Sequence, residues 1–270
     1  MKLRVVTLCS GYDSQCLALE RLKENFGIDY ELAAWAEFDP ESKRPIDLQP
    51  AVVAHNALFP QWKDRNMGDI TKADWSKVSG PIDLLCYSTP CQSISNAGKQ
   101  HGFKADSGTR SSVIWAVLNA IEALKPRFLL LENVAAMVSQ KFISDFHDWQ
   151  KSVEALGYTN YTQLMNAKDY GIPQNRNRVF MVSVRNGEAP YFFPEPFPLT
   201  TRLKDVLEPK VDESYYLSEK TIQMFNRHAE KQKEKGNGFK FSPTDGGGYA
   251  SSVLTAPGTR PCDNYIIDKQ

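Results

Sequence analysis

Ile82-Asp83-Leu84-Leu85-Cys86-Tyr87-Ser88-Thr89-Pro90-Cys91-Gln92-Ser93 is the stretch that decides the fold. Its apolar opening is short enough for a buried strand. Pro90 breaks it, which sets Cys91 just beyond the strand's carboxyl end. In open α/β sheets ligands bind at that edge. The loop that follows, Ser95-Asn96-Ala97-Gly98-Lys99-Gln100-His101-Gly102-Phe103-Lys104, is basic and glycine-punctuated, and reads as a mobile lid over an anionic substrate. A thiol at a strand tip beside such a loop points to a nucleophile whose thiolate is favoured by nearby positive charge. Cys91 taken alone is more plainly a buried, inert cysteine; Pro90 and Gln92 change that only together with the rest of the chain.

Upstream, Leu3 to Leu8 form a Val-rich strand, and Cys9-Ser10-Gly11-Tyr12-Asp13-Ser14 a small turn. Cys16, Leu17, Leu19, Leu22 and Phe26 then recur at helical spacing, with Gly27 as a stop. Strand, glycine loop and helix open a nucleotide-type βαβ unit, although the GxGxxG pattern is absent. A second strand, Tyr30 to Ala36, ends in Glu37-Phe38-Asp39. A carboxylate there can accept from a ribose diol, and Phe38 can stack on an adenine; a solvated strand end is the plainer alternative for Glu37. A helical stretch near Ala51 to Ala57 leads to Gly68-Asp69-Ile70-Thr71, where Asp69 either meets an adenine amino group or caps a short turn.

Downstream, Ser112 to Leu124 reads as an amphipathic helix, and Phe128 to Leu131 as an apolar strand that stops at Glu132-Asn133-Val134. Glu132 then lies on the same carboxyl edge, where burial raises pKa values and general acids sit; the alternative is a solvated Glu132 beside an Asn133 cap. A helix over Phe142 to Leu156, a strand over Tyr158 to Leu164 and a strand over Val179 to Val184 follow. Before the last, Gln174, Arg176 and Arg178 alternate at period two, so they are expected on one face of a strand start, offering forked donors to a carbonyl or phosphate oxygen. From about Pro190 the character changes to a proline-aromatic linker, a short turn near Leu203 to Leu207, a helix over Leu217 to Lys235 and a Gly/Ser/Thr/Pro-rich end.

The alternation predicts an α/β class: a doubly wound, Rossmann-like, mostly parallel sheet over 1–190, with 191–270 as a smaller appendage. At 270 residues, with 41% hydrophobic and 24% charged residues, the chain has the composition of a soluble globular protein. Lys+Arg and Asp+Glu both number 32, so a nucleic-acid partner requires a local basic face. Five cysteines, without a CxxC, and four histidines, without an HxxxH pair, argue against a zinc site or disulfide framework. With no leader-like opening and no membrane-spanning run, a reducing, cytoplasmic setting is expected.

Taken in order, the Gly11 loop, Glu37, Gly68-Asp69-Ile70, Pro90-Cys91-Gln92, Glu132-Asn133-Val134 and Gln174-x-Arg176-x-Arg178 resemble the DNA (cytosine-5) methyltransferase family over residues 3 to 185. The resemblance implies S-adenosylmethionine as cofactor, bound by Ser10, Gly11, Asp13, Glu37, Phe38, Asp69 and Ile70. It implies Cys91 as the nucleophile that adds to C6 of a flipped-out cytosine, Glu132 as the partner of N3 and the exocyclic amine, and Arg178, with Arg176 nearby, as the donor to O2. Pro90 and Gln92 shape the loop. Cys9 and Asp13 depart from the family's Phe-x-Gly-x-Gly. The family's last two blocks are absent before Gln270, so 191–270 is expected to be a linker and the start of a target-recognition region. Double-stranded DNA is the implied partner of a monomeric enzyme, with room for a restriction endonuclease in the same system. A non-catalytic remnant that binds cofactor or DNA, and a tRNA cytosine-5 methyltransferase, remain open. The Asp/Asn/Ser-Pro-Pro-aromatic loop of amino-methyltransferases does not match Ser88-Thr89-Pro90-Cys91.

Overall fold

A computed structural model describes residues 2–94, 101–105, 107–236, 241–253 and 263–267. The chain divides into two compact units, one of 1–164 with 178–193 and the other of 165–177 with 194–270.

The first unit alternates strand and helix from its start: β1 (Lys2–Leu8), α1 (Ser14–Phe26), β2 (Asp29–Ala36), α2 (Pro50–Leu58), β3 (Leu84–Tyr87), α3 (Val117–Leu124), β4 (Phe128–Val134), α4 (Ile143–Ala155) and β5 (Tyr158–Asn166). After β6 (Gln174–Asn175), β7 (Asn177–Arg185) returns to the sheet, whose order is β2-β1-β3-β4-β7-β5. β2, β1, β3 and β4 are mutually parallel, and β7 is antiparallel to β4. This is the doubly wound, mostly parallel sheet that the alternation predicts. Period two on β1 shows why both faces are covered. Val6 and Leu8 pack toward Val117 and Ile121 of α3 and Trp149 of α4, whereas Val5 packs with Cys16 and Leu19 of α1 and Val52 of α2. Gly27 ends α1 in the left-handed conformation, φ 67°, with its amide donating to Lys23 O at 3.0 Å.

Two expectations are corrected. β4 does not stop at Leu131 but runs to Val134, because β7 supplies backbone partners for its last residues, with Glu132 opposite Phe180 and Val134 opposite Arg178. The single strand start expected over 174–178 is two strands. Arg176 lies between them, its backbone N donating to Asn166 Oδ1 at 3.0 Å and its O accepting from Ala167 N at 3.1 Å.

The second unit holds β6, paired in parallel with β8 (Ala250–Ser251), and α5 (Glu219–Glu234). Ser218 caps α5 by accepting from Thr221 N at 3.2 Å, and Phe225 packs with Phe241 and Tyr265. No helix among the described residues is long and apolar enough to cross a membrane.

Candidate active site

The strand order dictates where a site can form. From β1 the chain goes outward to β2, then returns to lay β3 on the other side of β1, so the loops after β1 and β3 diverge and leave a crevice. A cleft of about 760 Å³ opens there, lined by Cys9 and Gly11 after β1, Glu37 and Phe38 after β2, and Ser88 and Pro90 after β3. Asp69, Ile70, Val113 and Trp115 close its far wall. Glu37 Oε2 accepts from Gly11 N at 2.7 Å; burial pushes this carboxyl above the usual range, and the Gly11 amide opposes the shift. Asp69 also folds its own turn, its Oδ1 accepting from Thr71 N at 3.0 Å and from Thr71 Oγ1 at 2.7 Å. Asp69 thus caps its turn, as one of its two readings expects, while lining the cleft.

Of the residues expected around a cofactor, Gly11, Glu37, Phe38, Asp69 and Ile70 line the cleft. Ser10 and Asp13 turn into the core instead. Ser10 Oγ donates to Ala36 O at 3.3 Å. The fully buried Asp13 carboxylate caps α1, accepting from Cys16 N at 3.1 Å and from Thr7 Oγ1 at 2.6 Å. A helix N-terminus presents unpaired amides, and a carboxylate one residue ahead of it is drawn to them.

Beyond β3, Ser88-Thr89-Pro90 carries the chain to Cys91. Gln15 Nε2 donates to Ser88 Oγ at 2.7 Å, and Asn133 Nδ2 donates to Thr89 O at 3.1 Å. The loop ahead of the thiol is therefore tied to α1 on one side and to β4 on the other. Cys91 is partly exposed and Gln92 exposed. The lid expected over Ser95 to Lys104 has a fixed base: Gly102 N donates to Ser93 O at 3.0 Å, and Phe103, 1% exposed, sits in the core. Phe103 N donates to Asp145 Oδ2 at 3.3 Å, and Trp115 Nε1 donates to Phe103 O at 2.7 Å. His101 and Lys104 are exposed on either side of that anchor. Ser95 to Gln100, Lys99 among them, lie outside the described residues.

At the tip of β4, Glu132 Oε1 lies 2.8 Å from Arg178 Nε, both side chains partly buried. The Cys91 loop, Glu132 and Arg178 are thus gathered at one edge of adjacent strands. Arg176 belongs to the second unit. The other described thiols differ from Cys91 in setting. Burial, with the charges of Glu37 and Asp69, pushes Cys9 up to about 12, and burial with the charge of Asp13 raises Cys16 and Cys86 as well. Among the described residues no group of three or more His, Cys, Asp or Glu side chains could hold a metal ion.

Sequence reasoning misses Gln15, and it misses Arg110, which lines the cleft and pairs with Asp39 Oδ1 and Glu41 Oε2, each at 2.9 Å. A lone glutamine or arginine in a polar stretch carries no periodic or spacing signal. Trp115 was legible only as one apolar position on a helix.

The model of the C-5 cytosine-specific DNA methylase family matches residues 3–258. The type II methyltransferase M2.ScrFI of Lactococcus lactis subsp. cremoris is 43% identical over 159 residues, covering 59% of this chain and 44% of that protein. The type II methyltransferase M.HpaII of Haemophilus parainfluenzae is 31% identical over 218 residues, covering 76% and 58%. The chain spans about half the length of these curated relatives. Among solved structures, S. pombe Dnmt2 methyltransferase superposes with a TM-score of 0.60 at 18% identity, covering 85% of this chain and 67% of that one. A DNMT2 mutant of Spodoptera frugiperda gives 0.68 at 17% identity, covering 97% and 72%. At these identities the structural likeness speaks for the fold.

Proposed function

The chain belongs to the C-5 cytosine-specific DNA methylase family, and from that premise we propose that it transfers a methyl group from S-adenosylmethionine to C5 of a cytosine flipped out of duplex DNA. The observation that carries this is the meeting of Glu132 and Arg178 at the β4 tip, one hydrogen-bonded step from the loop that presents Cys91.

The cleft suits the cofactor. Glu37, at the end of β2, can accept from ribose hydroxyls, while Phe38 and Ile70 offer apolar surface to an adenine and Asp69 an acceptor to its amino group. When bound, the cofactor supplies an electrophilic methyl group. The chain's own residues do the rest. C5 of cytosine is a weak nucleophile, and the Cys91 thiolate corrects this by adding to C6 and pushing an electron pair toward C5. Glu132 holds N3 and the exocyclic amine, and Arg178 faces O2, so the ring's developing negative charge is met by a proton donor and a cation. Once C5 carries the methyl group, its proton leaves to water and the Sγ–C6 bond breaks, restoring the thiolate. A stacked base cannot reach Cys91, so the nucleotide must leave the duplex. His101 and Lys104 are the basic side chains assigned to the DNA backbone. The stretch 191–270 is assigned to a linker and target recognition.

The test is trapping on duplex DNA carrying 5-fluorocytosine, from which the C5 substituent cannot leave. With S-adenosylmethionine the chain should form a denaturation-resistant adduct, and Cys91→Ser should form none while still binding cofactor. Adduct with fluorocytosine tRNA alone would move the substrate to RNA. Cofactor binding without any adduct would leave a binding protein.

A further inference from the structure

Outside the lining of the cleft lies a buried pair, Asp13 with a histidine that neither motif nor family match singles out. Asp13 and His55 are both 0% exposed, and His55 Nε2 stands 3.5 Å from Asp13 Oδ2. The imidazole is stacked on Trp35, ring centroids 3.6 Å apart and planes 13° from parallel, with Phe59 at 5.3 Å. Neither ring nitrogen has a hydrogen-bond partner among the described residues. Asp13 meets no other cationic side chain at ion-pair distance among them. The titratable neighbours of its carboxylate are the Cys16 and Cys86 thiols, which burial and Asp13 itself keep protonated. Beside the hydrogen bonds from Thr7 Oγ1 and Cys16 N, His55 Nε2 is the imidazole nitrogen that faces this enclosed carboxylate.

Asp13 closes the loop of the cleft that begins at Cys9. Cys9, Gly11 and Asp13 all adopt positive φ, 52°, 58° and 63°, so every second residue is in the left-handed region. Only glycine does this freely; asparagine and aspartate tolerate it when their side chains bond locally. Asp13 anchors the end of the loop, its N donating to Ser10 O at 2.7 Å, and two residues earlier Gly11 N donates to Glu37 at 2.7 Å.

We propose that His55 is a positioning residue of the cofactor site: by pairing with the Asp13 carboxylate it fixes the left-handed loop that aims the Gly11 amide and Glu37 at the cofactor. This rests on the cleft being the S-adenosylmethionine site. The two side chains act as a unit, so their effects on cofactor affinity are not additive.

The test is calorimetric titration of the full chain with S-adenosylhomocysteine, together with steady-state kinetics. His55→Phe keeps the stack on Trp35 but leaves Asp13 unpaired; the expected result is about a tenfold rise in Kd and in the cofactor KM, with kcat changed less than about twofold. The double variant Asp13→Gly/His55→Phe removes the buried charge and accepts the positive φ, so it should recover affinity to within about threefold of wild type. It also answers where His55→Phe alone does not fold. A folded His55→Phe protein with wild-type Kd, or a folded double variant that binds no better than about tenfold weaker than wild type, overturns the inference while the cofactor site stands. A wild-type chain that binds no S-adenosylhomocysteine removes the cofactor site and this inference with it.

Discussion

Arg178 Nε and Glu132 Oε1 lie 2.8 Å apart as a diagonal pair across β4 and β7, since Arg178 is opposite Val134 and Glu132 opposite Phe180. The two groups proposed for neighbouring positions on one edge of the cytosine, N3 with its exocyclic amine and O2, satisfy each other. The pair holds both side chains in place, and under the proposed function the incoming base parts them.

Glu132→Gln keeps an acceptor and donors of the same size but loses the charge and the transferable proton. The expected outcome is a fall of about 10²-fold or more in kcat, with cofactor Kd unchanged. Arg178→Lys should lose nearly as much as Arg178→Ala, because the forked donor cannot be replaced by an ammonium. Both side chains are partly exposed, 20% and 27%, so neither change should cost more than about 1 kcal/mol of stability by denaturant melting.

Glu37 pits affinity against stability. Its carboxyl is raised by burial, so the folded chain holds that proton more tightly than the unfolded chain does. The penalty is absent when both states are protonated and complete above the raised value. Glu37→Gln should therefore raise the melting temperature of the cofactor-free protein, by a margin that grows as the pH rises through and above the ordinary carboxylate range, while weakening S-adenosylhomocysteine binding. A margin that shrinks with rising pH would contradict the burial argument.

Thiol reactivity should single out one cysteine among the four described. Cys9, partly exposed but held at about 12 by its surroundings, and the raised, buried Cys16 and Cys86 stay protonated near pH 8; Cys91 is partly exposed and lies in the loop after β3. Brief iodoacetamide treatment followed by peptide mass mapping should place the first label on Cys91, and S-adenosylhomocysteine should slow that labelling.

Gly102 is a position where a methyl group is expensive. Its φ is +81°, and a Cβ there would lie 2.8 Å from Asp145 Oδ2. Gly102→Ala should cost about 1–3 kcal/mol and detach the Phe103 anchor. The measurable signs are a lower melting temperature and slower fluorocytosine trapping than a control substitution at exposed Glu24.

Much of this was legible in the chain itself, and the parts that were not share a cause. The β1–α1–β2 opening is local information, carried by Val5 and Val6 alternating across a strand, by Cys16 and Leu19 at helical spacing, and by Gly27 as a stop. The end of β4 is not local. Glu132 and Asn133 look like the close of a strand because they are polar, and only the distant β7 shows that they remain paired. Arg176 interrupts a pattern of alternating side chains because Asn166 and Ala167, about ten residues away, take its backbone groups. His55 was a lone histidine on a helix, three residues after the buried Val52, and nothing in that spacing names Asp13 as its partner.

The second unit is sewn from two separated stretches, 165–177 and 194–270, and β6 from the first finds its strand partner β8 in the second. A chimera that exchanges only the residues after Phe193 would keep one enzyme's β6 and receive another's β8, leaving a mismatched seam where Ala250 N meets Pro173 O at 2.8 Å. Exchanging the second unit as a whole therefore calls for two cassettes moved together, the short insert between β5 and β7 and the long tail.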